Sequence, residues 1–523
     1  MRVEMTRMTY RTSLAALALA LAALAAHPSA AGAAPAGTGQ SGPQVRWNPC
    51  PVYTDEVAAG LGVPPAQLPS FQALMKRLTC GTVSVPLDHR APEGRTIDIA
   101  VTRLAATDES HRLGAVAVLP GGPGNSGYLD PILRTVLKND EMAGLNERYD
   151  IIGFDPRGVG YSTKVACSLQ PVGPQEPGTL TEAAARKIYD DQVAANRSCG
   201  ASDPAFLRQL TTENVARDVD LVRAALGERE LNLLGFSWGT SLGVVYRSLF
   251  PGHTGRAFLD SVAPPWTDLM KHIKGSAEAA ERGFGRMAAW LARRDGTYGL
   301  GATARQVREE VAELVRAYDR SPRTFTDLRR PVDGAAVADL AKRNSTEWAR
   351  AGKALAELRT ATDGTAPPTV KDLLGSRPGA PAPGVPETLN MTMNWAVKCN
   401  QDGSRPDFAT AWRAYRQLVE RHPATGRSWG LGPAGCSGWP LPEQRIPLKR
   451  GGGSLVLAGH LHEFMSAYDW TLQTRRAVGG VVYTVADDVH VSATRVPECA
   501  AEVVRYFETG RIDTGCPGTP TPS

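Results

Sequence analysis

The segment Gly235-Phe236-Ser237-Trp238-Gly239 fits the pattern G-x-S-x-G. Glycines at those two places permit a tight turn that pushes the serine hydroxyl outward. The apolar run Leu231–Leu234 leads into the motif, and Thr240-Ser241-Leu242-Gly243 opens a helical stretch that ends before Pro251. Ser237 then stands at a helix N-terminus, where the dipole and free N–H groups favour developing negative charge. That is the chemistry of a nucleophile. A second loop, Pro120-Gly121-Gly122-Pro123-Gly124, follows the run Ala115–Leu119. With so little side chain, a backbone N–H there can approach a tetrahedral oxyanion, the Trp238 N–H being the second donor. The loop lacks the Lys-Ser/Thr and the G-x-G-x-x-G spacing of a phosphate cradle.

A serine hydroxyl needs a general base at neutral pH. Among nine histidines, His490 is best placed, because it follows the β-rich run Val481–Val485 and completes the order Ser, acid, His. His460 and His462 follow another strand end at Gly459. With Glu463 they suggest a metal site, but His-x-His-Glu has no further clear ligand, so neither metal nor cofactor is expected.

These residues need elements to hold them. Thr82–Pro86 and Ile97–Thr102 alternate like the arms of a hairpin. Ala115–Leu119, Tyr149–Phe154, Leu231–Leu234, Arg256–Leu259, Leu455–Ala458 and Val481–Val485 each close on a glycine-rich or acidic turn. Helical spacing lies between some of them, as in Glu213–Leu226. This alternation implies an α/β protein with a mostly parallel sheet, helices on both faces, and its chemistry at the carboxyl ends of strands. From 266 to 449 the pattern gives way to charged, Ala-rich helical stretches, including Ala277–Trp290 and Ala304–Tyr318. This block reads as a helical lid inserted over the sheet, with a separate second domain as the alternative, and Gly364–Glu387 reads as a surface loop. Pro517–Ser523 reads as an unstructured tail.

PGGPGNSG at Pro120–Gly127, DIIGFDPRGVGYS at Asp150–Ser162, NLLGFSWGTSLG at Asn232–Gly243 and the C-terminal histidine together resemble the secreted α/β-hydrolase peptidases of actinobacteria. These are the tripeptidyl-aminopeptidase-like relatives of prolyl aminopeptidase. The resemblance runs from about Cys50 to Cys516 and includes WAVKCNQD at Trp395–Asp402. It implies an α/β-hydrolase fold and the release of short peptides from free N-termini. Ser237 would be nucleophile, His490 base, and Gly122 and Trp238 the oxyanion donors.

The chain departs from that family at the acid, expected in a pattern like G-x-L-D-P-x-T-P. The matching stretch is Gly459-His460-Leu461-His462-Glu463-Phe464-Met465-Ser466, so His462 stands where Asp belongs. Three readings stay open. Glu463 takes over from a shifted loop, Asp260 at an earlier strand end supplies the carboxylate, or the acid is missing and activity is reduced. Asp487 and Asp488 are read as capping the His490 loop, and Asp155 and Arg157 as bracing their turn. Trp395 and Asp402 fit a place in the lid, the core or the surface. An esterase or lipase-like hydrolase on the same core, or a degenerate peptide-binding protein, are the competing functions.

Composition is consistent with a globular enzyme: 42% hydrophobic and 21% charged residues exclude a disordered or collagen-like chain. Net charge is +5, of which Arg2, Arg7 and Arg11 against Glu4 give +2 within residues 1–33. The remaining +3 is too small for a nucleic-acid or polybasic membrane surface; the peptide substrate is the partner that the resemblance implies. Those arginines precede the apolar run Leu14–Ala26, too short to span a bilayer, and Ala31-Gly32-Ala33 offers a cleavage site. The expected organisation is therefore a signal peptide over 1–33, a hydrolase core over 34–265 and 450–523, and the lid over 266–449. Export, with no membrane attachment after cleavage, makes eight cysteines in the mature part a disulfide set, here expected to pair between sequence neighbours.

Overall fold

The eight runs become strands of one ten-stranded sheet, which also has two short edge strands not read from the sequence, the first and last of these: β1 (Arg46–Asn48), β2 (Leu78–Pro86), β3 (Thr96–Leu104), β4 (Gly114–Leu119), β5 (Tyr149–Phe154), β6 (Leu231–Phe236), β7 (Thr254–Asp260), β8 (Ser454–His460), β9 (Val481–Val485) and β10 (Gly515–Cys516). The computed structural model describes residues 42–169, 176–375, 385–445 and 448–523. The expected signal peptide and its cleavage site lie outside the described residues. Strand order is β1-β2-β3-β5-β4-β6-β7-β8-β9-β10. Pairing is antiparallel from β1 through β3 to β5, and parallel from β5 across to β10.

Two-sided burial explains why the central strands read as unbroken apolar runs. All six residues of β6 are buried. Leu231 and Leu233 join the cluster on one face, with α1 (Thr212–Ala225) and α2 (Trp238–Leu249). Leu234 and Phe236 join the cluster on the other face, with the helix Pro497–Thr509.

Adjacent strands β7 and β8 pair Asp260 with Ala458, although the whole stretch 266–449 lies between them in sequence. Among the described residues that stretch is helical, including α3 (Leu269–Ala292) and α4 (Met391–Gln401), and adds no strand to the sheet. Its first part has an apolar core of its own, with Phe284, Leu291, Val311, Leu340 and Leu355. Its later part does not, because Met393 and Val397 of α4, together with Trp439, enter the core beneath the sheet. Helix Glu182–Ser202, which precedes the insertion, packs on Phe408–Arg421 through Ala185 and Tyr189.

Two local expectations change. Within the supposed surface loop, Pro368–Leu374 is a helix whose Val370 is buried in the insertion's core. The tail is anchored: the Thr519 N–H donates to Asp487 (2.8 Å), and the Trp290 indole donates to the Pro522 carbonyl (2.8 Å). Backbone groups make these bonds, and side-chain composition cannot announce them. The cysteines pair as sequence neighbours: Cys50–Cys80, Cys167–Cys199, Cys399–Cys436 and Cys499–Cys516. Closing loops of this size is worth about 3–4 kcal/mol each in the chain-entropy model.

Arg157 braces its turn as expected. Its guanidinium is fully buried and meets both oxygens of Asp218, at 2.7 and 2.6 Å, while also donating to the Leu87 carbonyl. A second buried charge ties three strand ends together. His460, last residue of β8, sits between Asp260 of β7 (Nε2 to Oδ1, 2.7 Å) and Asp487 beyond β9 (Nδ1 to Oδ1, 2.7 Å). Burial opposes the charge on the ring, but Asp260 and Asp487 outweigh it and push His460 up to about 10. Burial likewise works to raise Asp487, yet bonds from His460, Ser492 and the Thr519 amide hold it below the usual carboxylate range.

An unfolded imidazole titrates near ~6.5, so the folded state binds the extra proton between about 6.5 and about 10. The stabilisation is therefore whole below that window and is lost as pH rises through it. Thermal melts should show Tm falling steadily across this range. His460→Gln should be less stable at pH 6 and show a flatter profile. A parallel slope in the variant would contradict the ion-pair account.

Candidate active site

Ser237 occupies the turn between β6 and α2 with φ 53° and ψ −118°, a conformation that costs a serine energy. The strain lies on the serine itself, while the motif's glycines are required for close approach. A Cβ on Gly239 would lie 2.2 Å from the Leu119 carbonyl, and one on Gly235 2.8 Å from the Gly239 carbonyl. The start of α2 is thereby pressed against the end of β4. The Ser237 N–H donates to the Asp260 carbonyl at 2.9 Å, which fixes the turn to β7. The Trp238 amide opens the helix and has no carbonyl one turn back to bond.

The loop after β4 meets this turn. A Cβ on Gly121 would stand 3.4 Å from the Ser237 Cβ, and Gly122 has φ +48°. Helix α4 backs the loop closely, since a Cβ on Gly124 would fall 2.3 Å from the Asn390 carbonyl. The Asn390 N–H returns a bond to the Gly124 carbonyl at 2.8 Å. Asp155, at the end of β5, accepts from the Ser126 hydroxyl at 2.5 Å. Burial pushes that carboxyl up to about 6 against the bonds it accepts. A relay also runs from the Trp238 indole to Thr212 (3.2 Å) and on to Gln401 of α4 (2.8 Å), tying the turn to the insertion.

Of the two candidate carboxylates, Glu463 is the one on His490. Its Oε1 is hydrogen-bonded to His490 Nδ1 and accepts from the Ser466 N–H at 3.0 Å. Its Oε2 accepts from the Ser261 hydroxyl at 2.9 Å. Glu463 is buried, whereas the His490 side chain keeps 23% of its surface exposed. Asp260, the other candidate, spends Oδ1 on His460 and accepts the Ala493 N–H on Oδ2 at 3.2 Å. His462, at the place where the family expects Asp, bonds through its amide to the Asp487 carbonyl. Burial and the Arg286 guanidinium hold its ring below the usual histidine range. The metal alternative has no geometry behind it, because both ring nitrogens of His460 are taken and Glu463 faces His490.

The loop that carries His490 is held from both sides. Asp487 accepts from the Ser492 hydroxyl (2.6 Å), and Asp488 pairs with Arg286 of α3 (3.2 Å) and accepts the Ser345 amide and hydroxyl. Both aspartates thus brace the loop, as read from the sequence. Trp395 packs against the sheet-side core, and buried Asp402 caps the start of α3 through the Leu269 N–H. Sequence reading missed Ser261, because nothing in its neighbours marks a serine that adopts φ 58°. It also missed the charged role of His460, which depends on two aspartates distant along the chain.

Ser237, Gly122, Glu463 and His490 all follow carboxyl ends of parallel strands, β6, β4, β8 and β9. Residues 114–307 match the family model described as alpha/beta hydrolase fold, and 422–519 match the one described as TAP-like protein. The tripeptidyl aminopeptidase of Streptomyces lividans is 31% identical over 466 residues, covering 84% of this chain and 83% of that protein. Serine protease Hip1 of Mycobacterium tuberculosis is 30% identical over 282 residues, 52% of this chain and 50% of that one. Carboxylesterase B of the same organism is 27% identical over 499 residues, covering 90% and 89%. The chain belongs to the TAP-like family of α/β-hydrolases and is a serine hydrolase.

Proposed function

We propose that this protein is an exported serine exopeptidase that releases short peptides from the free N-termini of peptide substrates. The contact between Glu463 and His490, on loops beyond β8 and β9 at the same carboxyl edge of the sheet as the Ser237 turn, is the observation that carries the reading. Ser237 Oγ attacks the scissile carbonyl while His490 Nε2, the ring nitrogen not held by Glu463, takes its proton. Glu463 orients the ring and stabilises the imidazolium. The Trp238 and Gly122 N–H groups receive the oxyanion. His490 then gives the proton to the departing amine, and water, activated by the same ring, frees the N-terminal fragment from the acyl-enzyme.

The helical insertion over 266–449 acts as a lid that admits a chain end, which favours exopeptidase action. Its bonds to the elbow through Gln401 and to the His490 loop through Arg286 support that role. Residues 1–33 serve as the export signal. Four disulfides fit an oxidising compartment, and no described helix is long and apolar enough to cross a membrane. A second reading, an esterase, has the coverage of carboxylesterase B in its favour.

Three measurements test this. A fluorophosphonate should label the folded protein, and Ser237→Ala should remove the adduct; an unlabelled wild type would leave only a binding protein. Glu463→Gln should lower kcat by about 10²–10⁴-fold with KM little changed, as loss of a triad carboxylate does elsewhere. Peptide amides with a free N-terminus should be cleaved well and their N-acetylated forms poorly. Equal cleavage of both would overturn the aminopeptidase reading, and turnover confined to acyl esters would favour the esterase.

A further inference from the structure

We propose that Ser261 is a positioning residue whose single hydroxyl fixes the acid and the backbone of the base together. The proposal rests on Glu463 and His490 serving as acid and base. Four described non-glycine residues have positive φ, and three of them, Ser237, Ser261 and Val491, belong to this site. Ser261 has φ 58° and is fully buried, immediately after β7. Glycine would adopt that backbone without strain, so the hydroxyl must be what the position retains.

A hydroxyl has one hydrogen to give. Here it is donated to Glu463 Oε2 at 2.9 Å, while the oxygen accepts the Val491 N–H at 2.8 Å. Val491 directly follows His490 and is itself strained, a β-branched residue at φ 57°. Two strained residues therefore meet in one hydrogen bond. The Ser466 N–H and His490 hold the other carboxylate oxygen, so both oxygens of Glu463 have fixed directions. Without the Ser261 hydroxyl, Oε2 is a buried acceptor lacking that donor and the Val491 amide lacks its acceptor. The carboxylate can then rotate off the imidazole.

The test compares wild type, Ser261→Gly, Ser261→Ala, Glu463→Gln and the double variant Ser261→Gly/Glu463→Gln on a chromogenic tripeptide anilide, with a melting curve for each. Ser261→Gly relieves the backbone and Ser261→Ala keeps its strain, so together they separate conformation from hydroxyl. Both should lose about 10- to 100-fold in kcat with KM within about twofold. The double variant should be no slower than Glu463→Gln alone, because Ser261 acts through that carboxylate. Wild-type kcat in either Ser261 variant, beside a slow Glu463→Gln, would overturn the proposal. So would multiplicative losses in the double variant, which would mean an independent structural effect. Full kcat in Glu463→Gln would instead remove the acid assignment on which the proposal stands.

Discussion

The ion pair between Asp260 and His460 is where the separate parts of the site obtain a common reference. Asp260 ends β7, and its carbonyl receives the Ser237 N–H, so the Ser237 turn is measured from this residue. One of its carboxylate oxygens holds His460 at the end of β8, and the other receives the Ala493 N–H from beyond His490. His460 passes the connection to Asp487, which holds the loop 487–492 by Ser492 and the tail by Thr519. In a low-dielectric interior such bonds are strong when complete and costly when broken. The arrangement is complete, because both ring nitrogens and all four carboxylate oxygens of the three residues have partners. A rigidly held His490 is what the proposed chemistry needs, since an imidazole displaced by an ångström loses much of its effect.

The second constraint is steric. A serine held at φ 53° persists only where its surroundings over-determine it. Here the strand before it is buried on both faces, its amide is tied to β7, and the helix after it begins in contact with the Leu119 carbonyl. No side chain fits at Gly239 or Gly235, so the same packing that strains Ser237 excludes other residues beside it. Gly124 repeats this logic against α4. Through that contact the insertion backs the loop 120–124, and through Gln401 and Thr212 it is tied to the Ser237 turn.

What the sequence made legible follows the range of each interaction. The strands could be read because two-sided burial demands apolar residues at every position, as in β6. The elbow could be read because a tight turn and a close helix start require small residues at fixed offsets. Neighbouring cysteines could be paired because short loops sit within local units. Partnership between side chains from different loops was not legible. Glu463 follows one strand end and Asp260 forms another, and only the packing of β7, β8 and β9 decides which one meets His490. His460 resembled a ligand in sequence because its aspartates lie 200 residues before and 27 residues after it. Ser261 gave no sign at all, because a left-handed serine is visible only in its backbone.

The proposed use of Glu463 as the acid is consistent with chain geometry once those bonds are considered together. Displacing the carboxylate one residue beyond the position of His462 changes the direction from which it leaves the loop after β8, and the extra methylene restores reach. That reach has an entropic cost: glutamate has one more torsion to fix than aspartate, and a buried side chain must fix them all. Glu463 meets that requirement with donors on both oxygens, the Ser466 amide on one and the Ser261 hydroxyl on the other. Without those donors, the carboxylate proposed as the acid would orient the imidazole loosely. The strained serine at the end of β7 and the glutamate after β8 thus meet in one hydrogen bond, which fixes the carboxylate oxygen that His490 does not hold.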